Sequence, residues 1–256
     1  KPRCVVHCGA ITNVDGCEGD SLAAYRINGL ATAWVAEAAA LASAKLVYVS
    51  TDFVFDGKQT VPYAVDAVPK PLSVYGASKR LGEEAVLAHD RDGFYVVRTS
   101  WVFGPGGKNF PRAILDRAKS GQPLKVVTDQ VGRPTMTHDL AEALLDLCES
   151  KAAAGIYHAA NDGQCSWHQF AVDILRTAGI DVPVGTQTGA ELKRPAMRPA
   201  WSVLDTTKLA AVRDKKLPHY TDALARHLKL DDAAQVTADP AGGTAGPAGP
   251  LRGKQY

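Results

Sequence analysis

The sequence is poor in the features that mark specialised environments. No apolar run approaches the roughly 18 residues a membrane-crossing helix needs, and no charged-then-apolar leader is present. A formal net charge of +2 over 256 residues offers no electrostatic footprint for nucleic acid or for a membrane surface. Cysteines number five, an odd count, and none stands in a C-x-x-C pair, so neither a zinc knuckle nor a redox dithiol is indicated. That usage points to a reducing cytoplasm. Cys4 and Cys8 share one face of a predicted strand and read as small buried hydrophobes. The seven histidines (His7, His89, His138, His158, His168, His219, His227) show no ligand spacing. Internal repeats are absent.

What is present is an ordinary globular composition, 46% apolar and 22% charged, long enough for a sizeable core. Cys4 to Gly9, Lys45 to Val49, Phe94 to Arg98, Leu124 to Val127 and Ile156 to Ala159 read as short buried strands. Helical patterns lie between them: Ser21 to about Ser43 behind an Asp20-Ser21 cap, Leu72 to His89, and Asn109 to Ser120. Two more run from His138 to Glu149 with Thr137 as cap, and from Ser166 to Ala178. This alternation predicts a parallel sheet covered by helices. After Gly179 the pattern turns irregular and Pro-rich up to Trp201, followed by short helices near 206–212 and 219–228. The stretch 233–256, rich in Ala, Gly and Pro, is expected to be disordered. Residues 1–135 and 136–232 form the two expected parts, the second completing the sheet and a smaller substrate-binding region.

Three residues carry chemistry. Thr51 sits at the carboxyl end of a predicted strand, where open α/β sheets bind ligands. Tyr75 and Lys79 are spaced i,i+4, so their side chains meet on one helix face, with Glu83 a turn further. A phenol has a reference pKa of about 10 and needs help to exchange protons near neutrality. An ammonium about 4 Å away contributes roughly 4 kcal/mol at an effective dielectric of about 20, enough to draw the phenol down by a unit or more.

The sequence around these residues is specific. Ser50-Thr51-Asp52-Phe53-Val54-Phe55-Asp56-Gly57 and Pro71-Leu72-Ser73-Val74-Tyr75-Gly76-Ala77-Ser78-Lys79 closely resemble the dTDP-4-dehydrorhamnose reductases of the extended short-chain dehydrogenase family. So do Arg98 through Gly104, Lys108-Asn109-Phe110, Asp129 through Thr135, Ser166-Trp167, Lys193-Arg194-Pro195 and Val203-Leu204-Asp205. The resemblance spans nearly everything from Pro2 to Leu230. It implies a Rossmann-like fold and reduction of a sugar-nucleotide C4 keto group by NADPH, with NADH as the alternative. Tyr75 is then the proton donor, Lys79 lowers its pKa and binds the nicotinamide ribose, and Thr51 bonds the reacting oxygen. Asp52, Trp101, Asn109 and Arg133 match the substrate side, Gly9, Ala10 and Ile11 the cofactor side, and Asn28 a structural or proton-relay position. Phe53 replaces a common Tyr; related 4,6-dehydratases place Glu there, so dehydration is disfavoured. Some members carry magnesium at a dimer contact, whose ligands cannot be placed in this sequence. A homodimer is compatible with the resemblance. The competing readings are a non-catalytic subunit similar to the regulatory subunit of methionine adenosyltransferase and a sibling 4-keto reductase or epimerase.

A dinucleotide fold normally opens with strand, Gly-rich turn and helix. None precedes Cys4, the chain opens on Lys1, and Gly242-Gly243 to Gly249 neither follows a strand nor opens a helix. The expectation is a sheet lacking its first strands, with about 50 residues, the size of those strand-helix units, gone and NADPH affinity weakened.

Overall fold

The computed structural model of the protein describes residues 1–238. Strands β1 (Cys4–His7), β2 (Lys45–Thr51), β3 (Phe94–Thr99), β4 (Val102–Phe103), β5 (Leu124–Val127), β6 (Val131–Gly132), β7 (Thr135–Met136), β8 (Gly155–His158), β9 (Cys165–Ser166) and β10 (Val184–Gln187) alternate with helices. The helices are α1 (Val14–Gly19), α2 (Ser21–Ala24), α3 (Ala31–Leu41), α4 (Val74–Leu87), α5 (Phe110–Lys119), α6 (Thr137–Glu149), α7 (Trp167–Thr177), α8 (Thr207–Arg213) and α9 (Tyr220–Ala238). The main sheet is parallel, in the order β1-β2-β3-β8.

Its central strands β2 and β3 are buried on both sides, as their unbroken apolar runs demand, while β1 at the edge is only half-buried, with Val6 exposed. Leu46, Tyr48, Phe94 and Val96 face Ala36, Ala39 and Val86 on α3 and α4. Their sequence neighbours Val47, Tyr95 and Val97 face Leu140, Leu144 and Leu147 on α6 and Leu209 on α8. The alternation is the period of two of a strand, and it makes a three-layer sandwich. A second core lies in the C-terminal lobe, where Ile114, Phe170, Ile174, Tyr220 and Leu224 join α5, α7 and α9.

Several expectations change. The long helix expected from Ser21 behind Asp20 is present and runs without a gap to Leu41, with Tyr25–Leu30 as a π-helical segment inside it; the short α1, capped by Asn13, precedes it and was not expected. Thr137 is the first residue of α6 and does not cap it; Met136 precedes it without a side-chain cap. Strand β5 pairs with β10 rather than with the main sheet, so the Pro-rich segment contains a strand. Helix α9 runs through 233–238, which were expected to be disordered; 239–256 lie outside the described residues. Cys4 forms a disulfide with Cys148 at the end of α6, and Cys8 is exposed, so neither is the buried hydrophobe expected. The pairing escapes sequence reading because 144 positions separate the two cysteines.

The polar element inside this packing is Glu83 on α4, fully buried beside the fully buried Arg98 of β3. The guanidinium grips the carboxylate with both Nε (2.8 Å) and NH2 (2.7 Å). Ser50 donates to the same carboxylate at 2.6 Å and Arg80 at 3.0 Å. Removing one partner of such a pair strands the other charge in the core. Glu83→Ala is therefore expected to cost about 3–5 kcal/mol in a urea titration. Asp116→Ala, which cuts the exposed pair with Arg112, should cost under about 1 kcal/mol. Similar small losses for both would show that Arg98 is reached by water.

Candidate active site

Strand β2 delivers Ser50 and Thr51 to the carboxyl edge of the sheet, and the chain then tightens into a 3-10 turn, Asp52–Val54. Thr51 shapes that turn, its Oγ1 accepting from the Phe53 amide at 3.2 Å and donating to Asp52 Oδ1 at 3.1 Å. Helix α4, capped by Ser73, starts beside it. Two glycines permit the approach: a Cβ on Gly76 would lie 2.2 Å from the Phe53 carbonyl oxygen, and one on Gly82 would lie 2.4 Å from the Tyr48 hydroxyl. Tyr75 thus stands in the first turn of α4 beside Thr51, its ring edge-on to Phe53 at 5.6 Å. Lys79 follows one turn later, and Glu83 one turn after that.

Electrostatics here differ from the sequence expectation. Desolvation pushes the Tyr75 phenol up to about 12; the Thr51 hydroxyl pulls it back and the Asp52 charge adds to the rise. Lys79 lies one turn further along α4. Its Nζ is instead committed to the Val49 carbonyl oxygen at 2.7 Å and lies over the Tyr48 ring at 4.2 Å. Burial lowers Lys79 to about 8, against a smaller opposing pull from Glu83. The i,i+4 spacing put the two groups on one face, but the ammonium turns toward the strand rather than the phenol. Tyr75 is accordingly a protonated phenol throughout the neutral range. Asp52, buried with Oδ2 lacking a hydrogen-bond partner, is raised to about 6 by desolvation, partly offset by the Ser202 and Thr51 hydroxyls.

Asn28 ties the second strand-end to this helix. It sits in the π-helical segment, fully buried, and its amide pairs with both backbone groups of one residue: Oδ1 accepts from the Ile11 N–H at 2.8 Å and Nδ2 donates to the Ile11 oxygen at 3.1 Å. Nδ2 also donates to Ser78 Oγ at 3.0 Å, which donates on to the Tyr75 carbonyl oxygen at 2.8 Å. The turn 9–11 after β1 is thereby pinned to α4. A mid-helix π segment of this kind commonly marks a site where geometry matters more than regularity.

These elements floor a cavity of about 1310 Å³, larger than the roughly 300–1,000 Å³ of a site for one small molecule. Ala10, Thr51, Asp52, Tyr75, Lys79 and Trp101 line it. Gly9 and Ile11 belong to the same turn without lining the cavity. Asn109 and Arg133 are not brought to it. Asn109 caps α5 and donates to the Gly104 oxygen at 2.7 Å, while Arg133 points to Thr206 and Asp162. Their backbone surroundings set these directions, which motif position alone does not report. Sequence reasoning assigned no role to Ser202, Arg117, Lys125, Arg194 or Arg198, which also line the cavity. Asp15 holds Arg198 through both carboxylate oxygens, at 3.1 and 2.9 Å, across 183 positions. The lining counts five cations (Lys79, Arg117, Lys125, Arg194, Arg198) against two carboxylates (Asp52, Asp116), a balance suited to phosphorylated ligands. Among the described residues no group of three or more His, Cys, Asp or Glu is arranged to hold a metal ion, and no helix is long and apolar enough to cross a membrane.

Trp101 departs from ordinary geometry. Its φ of +48° lies in the left-handed region, a placement that costs a bulky residue about 1–3 kcal/mol and persists only where surroundings impose it. Asn28→Ala, which leaves the half-buried Ile11 amide without its acceptor and removes a fully buried link to Ser78, should lower unfolding free energy by about 1–3 kcal/mol in a urea titration. No loss would show that other contacts hold the turn.

With this geometry in place, similarity to known proteins is informative. The family described as the RmlD substrate binding domain matches residues 1–232. The chain is 41% identical over 236 residues to the Bacillus subtilis spore coat polysaccharide biosynthesis protein SpsK, covering 91% of this chain and 81% of that protein. It is 40% identical over 229 residues to dTDP-4-dehydrorhamnose reductase of Streptomyces griseus, covering 88% and 75% respectively. The crystal structure of a dTDP-4-dehydrorhamnose reductase from Clostridium acetobutylicum superposes with a TM-score of 0.85 at 39% identity, over 89% of this chain and 80% of the other. That of the Bacillus anthracis reductase, in complex with NADP, gives 0.84 at 34% identity over the same shares. The parallel sheet is therefore of the Rossmann-like type, and the chain belongs to the RmlD substrate-binding-domain family.

Proposed function

We propose that the protein reduces the C4 keto group of dTDP-4-dehydrorhamnose, a dTDP-linked 6-deoxyhexose, with NADPH, giving dTDP-L-rhamnose in the cytoplasm. The observation that carries this reading is the grouping of Thr51, Tyr75 and Lys79 at the carboxyl end of β2 on the floor of one cavity. The residues fit a nicotinamide dinucleotide. An ammonium has three donors, and Lys79 spends one on Val49, leaving two for ribose hydroxyls beside the Ala10 turn. The cavity has room for a second nucleotide, and its cationic lining suits the phosphates of both.

Bound NADPH supplies a hydride to the carbonyl carbon. The developing charge on the carbonyl oxygen is met by the proton held on Tyr75 Oη, and the phenol is afterwards reprotonated from solvent. Thr51 Oγ1, beside Tyr75, orients the same oxygen. Desolvation favours this division of labour, because a phenol raised to about 12 keeps its proton until an oxyanion of comparable basicity forms. Asp52, with one carboxylate oxygen unpartnered, accepts from a sugar hydroxyl. Reduction of a 4-keto group needs no base beside the sugar C5, and the residue after Asp52 is the phenyl ring of Phe53.

Turnover is read as loss of NADPH absorbance that depends on a dTDP-4-keto-6-deoxyhexose, with dTDP-L-rhamnose identified as product. Tyr75→Phe is expected to lower kcat roughly 10²–10⁴-fold while NADPH binding persists. Undiminished turnover by that variant sinks the proton-donor assignment. A different reduced sugar as product would move the protein to a sibling reductase.

The pH profile separates the two titrating groups. Tyr75 stays protonated up to about 12 and sets no limit in the working range. Lys79 loses its charge as pH rises through about 8, so kcat/KM should fall on the alkaline side of that value. Lys79→Met should be slow and should lack that limb. An alkaline limb unchanged in the variant would assign it elsewhere.

A further inference from the structure

Trp101 follows Ser100 at the end of β3, and its carbonyl oxygen accepts from the Thr135 amide at 3.2 Å. Its strained backbone throws the indole away from the sheet and onto Trp167, in the first turn of α7, with ring centroids 3.6 Å apart and planes 8° from parallel. Phe110 packs against Trp167 at 4.6 Å. On another side, Gly132 presses against Trp101: a Cβ there would lie 2.5 Å from indole Cε2 and 2.7 Å from Nε1. Gly132 and Trp167 arrive together. Strand β6 pairs antiparallel with β9, placing Gly132 opposite Cys165, and β9 leads directly into Trp167.

This two-stranded ribbon is a clamp with Trp101 inside it. Both indoles line the cavity whose floor holds Thr51 and Tyr75. An aromatic held in a left-handed conformation cannot keep its direction by its own backbone preference, so the clamp must supply it. We propose that Trp167 is a positioning residue: with Gly132 it sets the angle of Trp101 as the wall against which the sugar ring packs, and so governs affinity for the nucleotide-sugar. A pyranose offers C–H groups to such a wall, and a tilt of the indole removes that contact area from the bound sugar. The inference rests on the functional reading above.

The test compares wild type with Trp167→Ala, Trp167→Phe and Gly132→Ala. Two stacked indoles give an exciton couplet in circular dichroism, expected in wild type, absent from both Trp167 variants and altered in Gly132→Ala. KM for the dTDP-linked substrate should rise about ten- to a hundredfold in Trp167→Ala and Gly132→Ala. The KM for NADPH should hold, kcat should change by much less, and Trp167→Phe should recover most of the loss. No couplet in wild type overturns the geometry. An unchanged KM in Trp167→Ala overturns the role, as does Gly132→Ala if it shifts the couplet and leaves KM alone, because Trp167 would then touch the ligand itself. Should Trp167→Ala fail to fold, Trp167→Phe and Gly132→Ala decide by the same comparison. If wild type binds dTDP-L-rhamnose without turning over, the reductase reading fails alone, and the Kd for that compound replaces KM in every arm.

Discussion

The arrangement depends on one buried carboxylate. Glu83 is anchored by Arg98 from β3, Ser50 from β2 and Arg80 from its own helix, so α4 can neither slide along the sheet nor roll on it. Ion pairs at this depth contribute little net stability, because desolvation of both charges offsets their attraction. Their value is in register. Lys79 and Tyr75 lie one and two turns before Glu83, and locking the third member of the row places the first two against the end of β2. The same anchor extends outward: Arg98 lies 5.0 Å from the Phe55 ring and 3.5 Å from the buried His158, which itself meets the Asp205 carbonyl oxygen.

Desolvation then decides the chemistry. The polar side chains on the cavity floor are few and largely withdrawn from water, which holds Tyr75 protonated, lifts Asp52 to about 6 and lowers Lys79 to about 8. Proximity of an ammonium to a phenol in sequence suggests an activated phenol. The fold instead directs the ammonium to the Val49 carbonyl oxygen and keeps a full proton on the tyrosine. A protonated phenol is the state that can donate to an oxyanion. Lys79 retains its remaining donors for a ligand.

The cavity is closed by groups far apart in the chain. Asp15, on the first helix, fixes Arg198, and the Ser202 side chain lies against Asp52. The segment 199–205 is held between the loop after β2 and strand β6, with Trp201 bonded to the Gly57 oxygen and Ser202 to that of Val131. The lobe built by residues beyond β7 thus takes part in the site as well as covering it.

Much of this was legible in the residues. Strands β2 and β3 are continuous apolar runs, and α5 and α7 carry Asn109 and Ser166 caps where the pattern places them. Thr51, Tyr75 and Lys79 fall at positions that local periodicity alone assigns to a strand end and one helix face. The sequence by itself therefore determined the elements and the placement of Thr51, Tyr75 and Lys79 at a strand end and on one helix face, because each follows from contacts within a few residues. The tertiary structure alone decided the pairing of β5 with β10, the Cys4–Cys148 bond, the exclusion of Asn109 and Arg133 from the cavity lining, the direction of the Lys79 ammonium and the entry of Arg198 and Ser202. Each of these depends on which distant groups share a desolvated volume, and spacing along the chain carries no record of that.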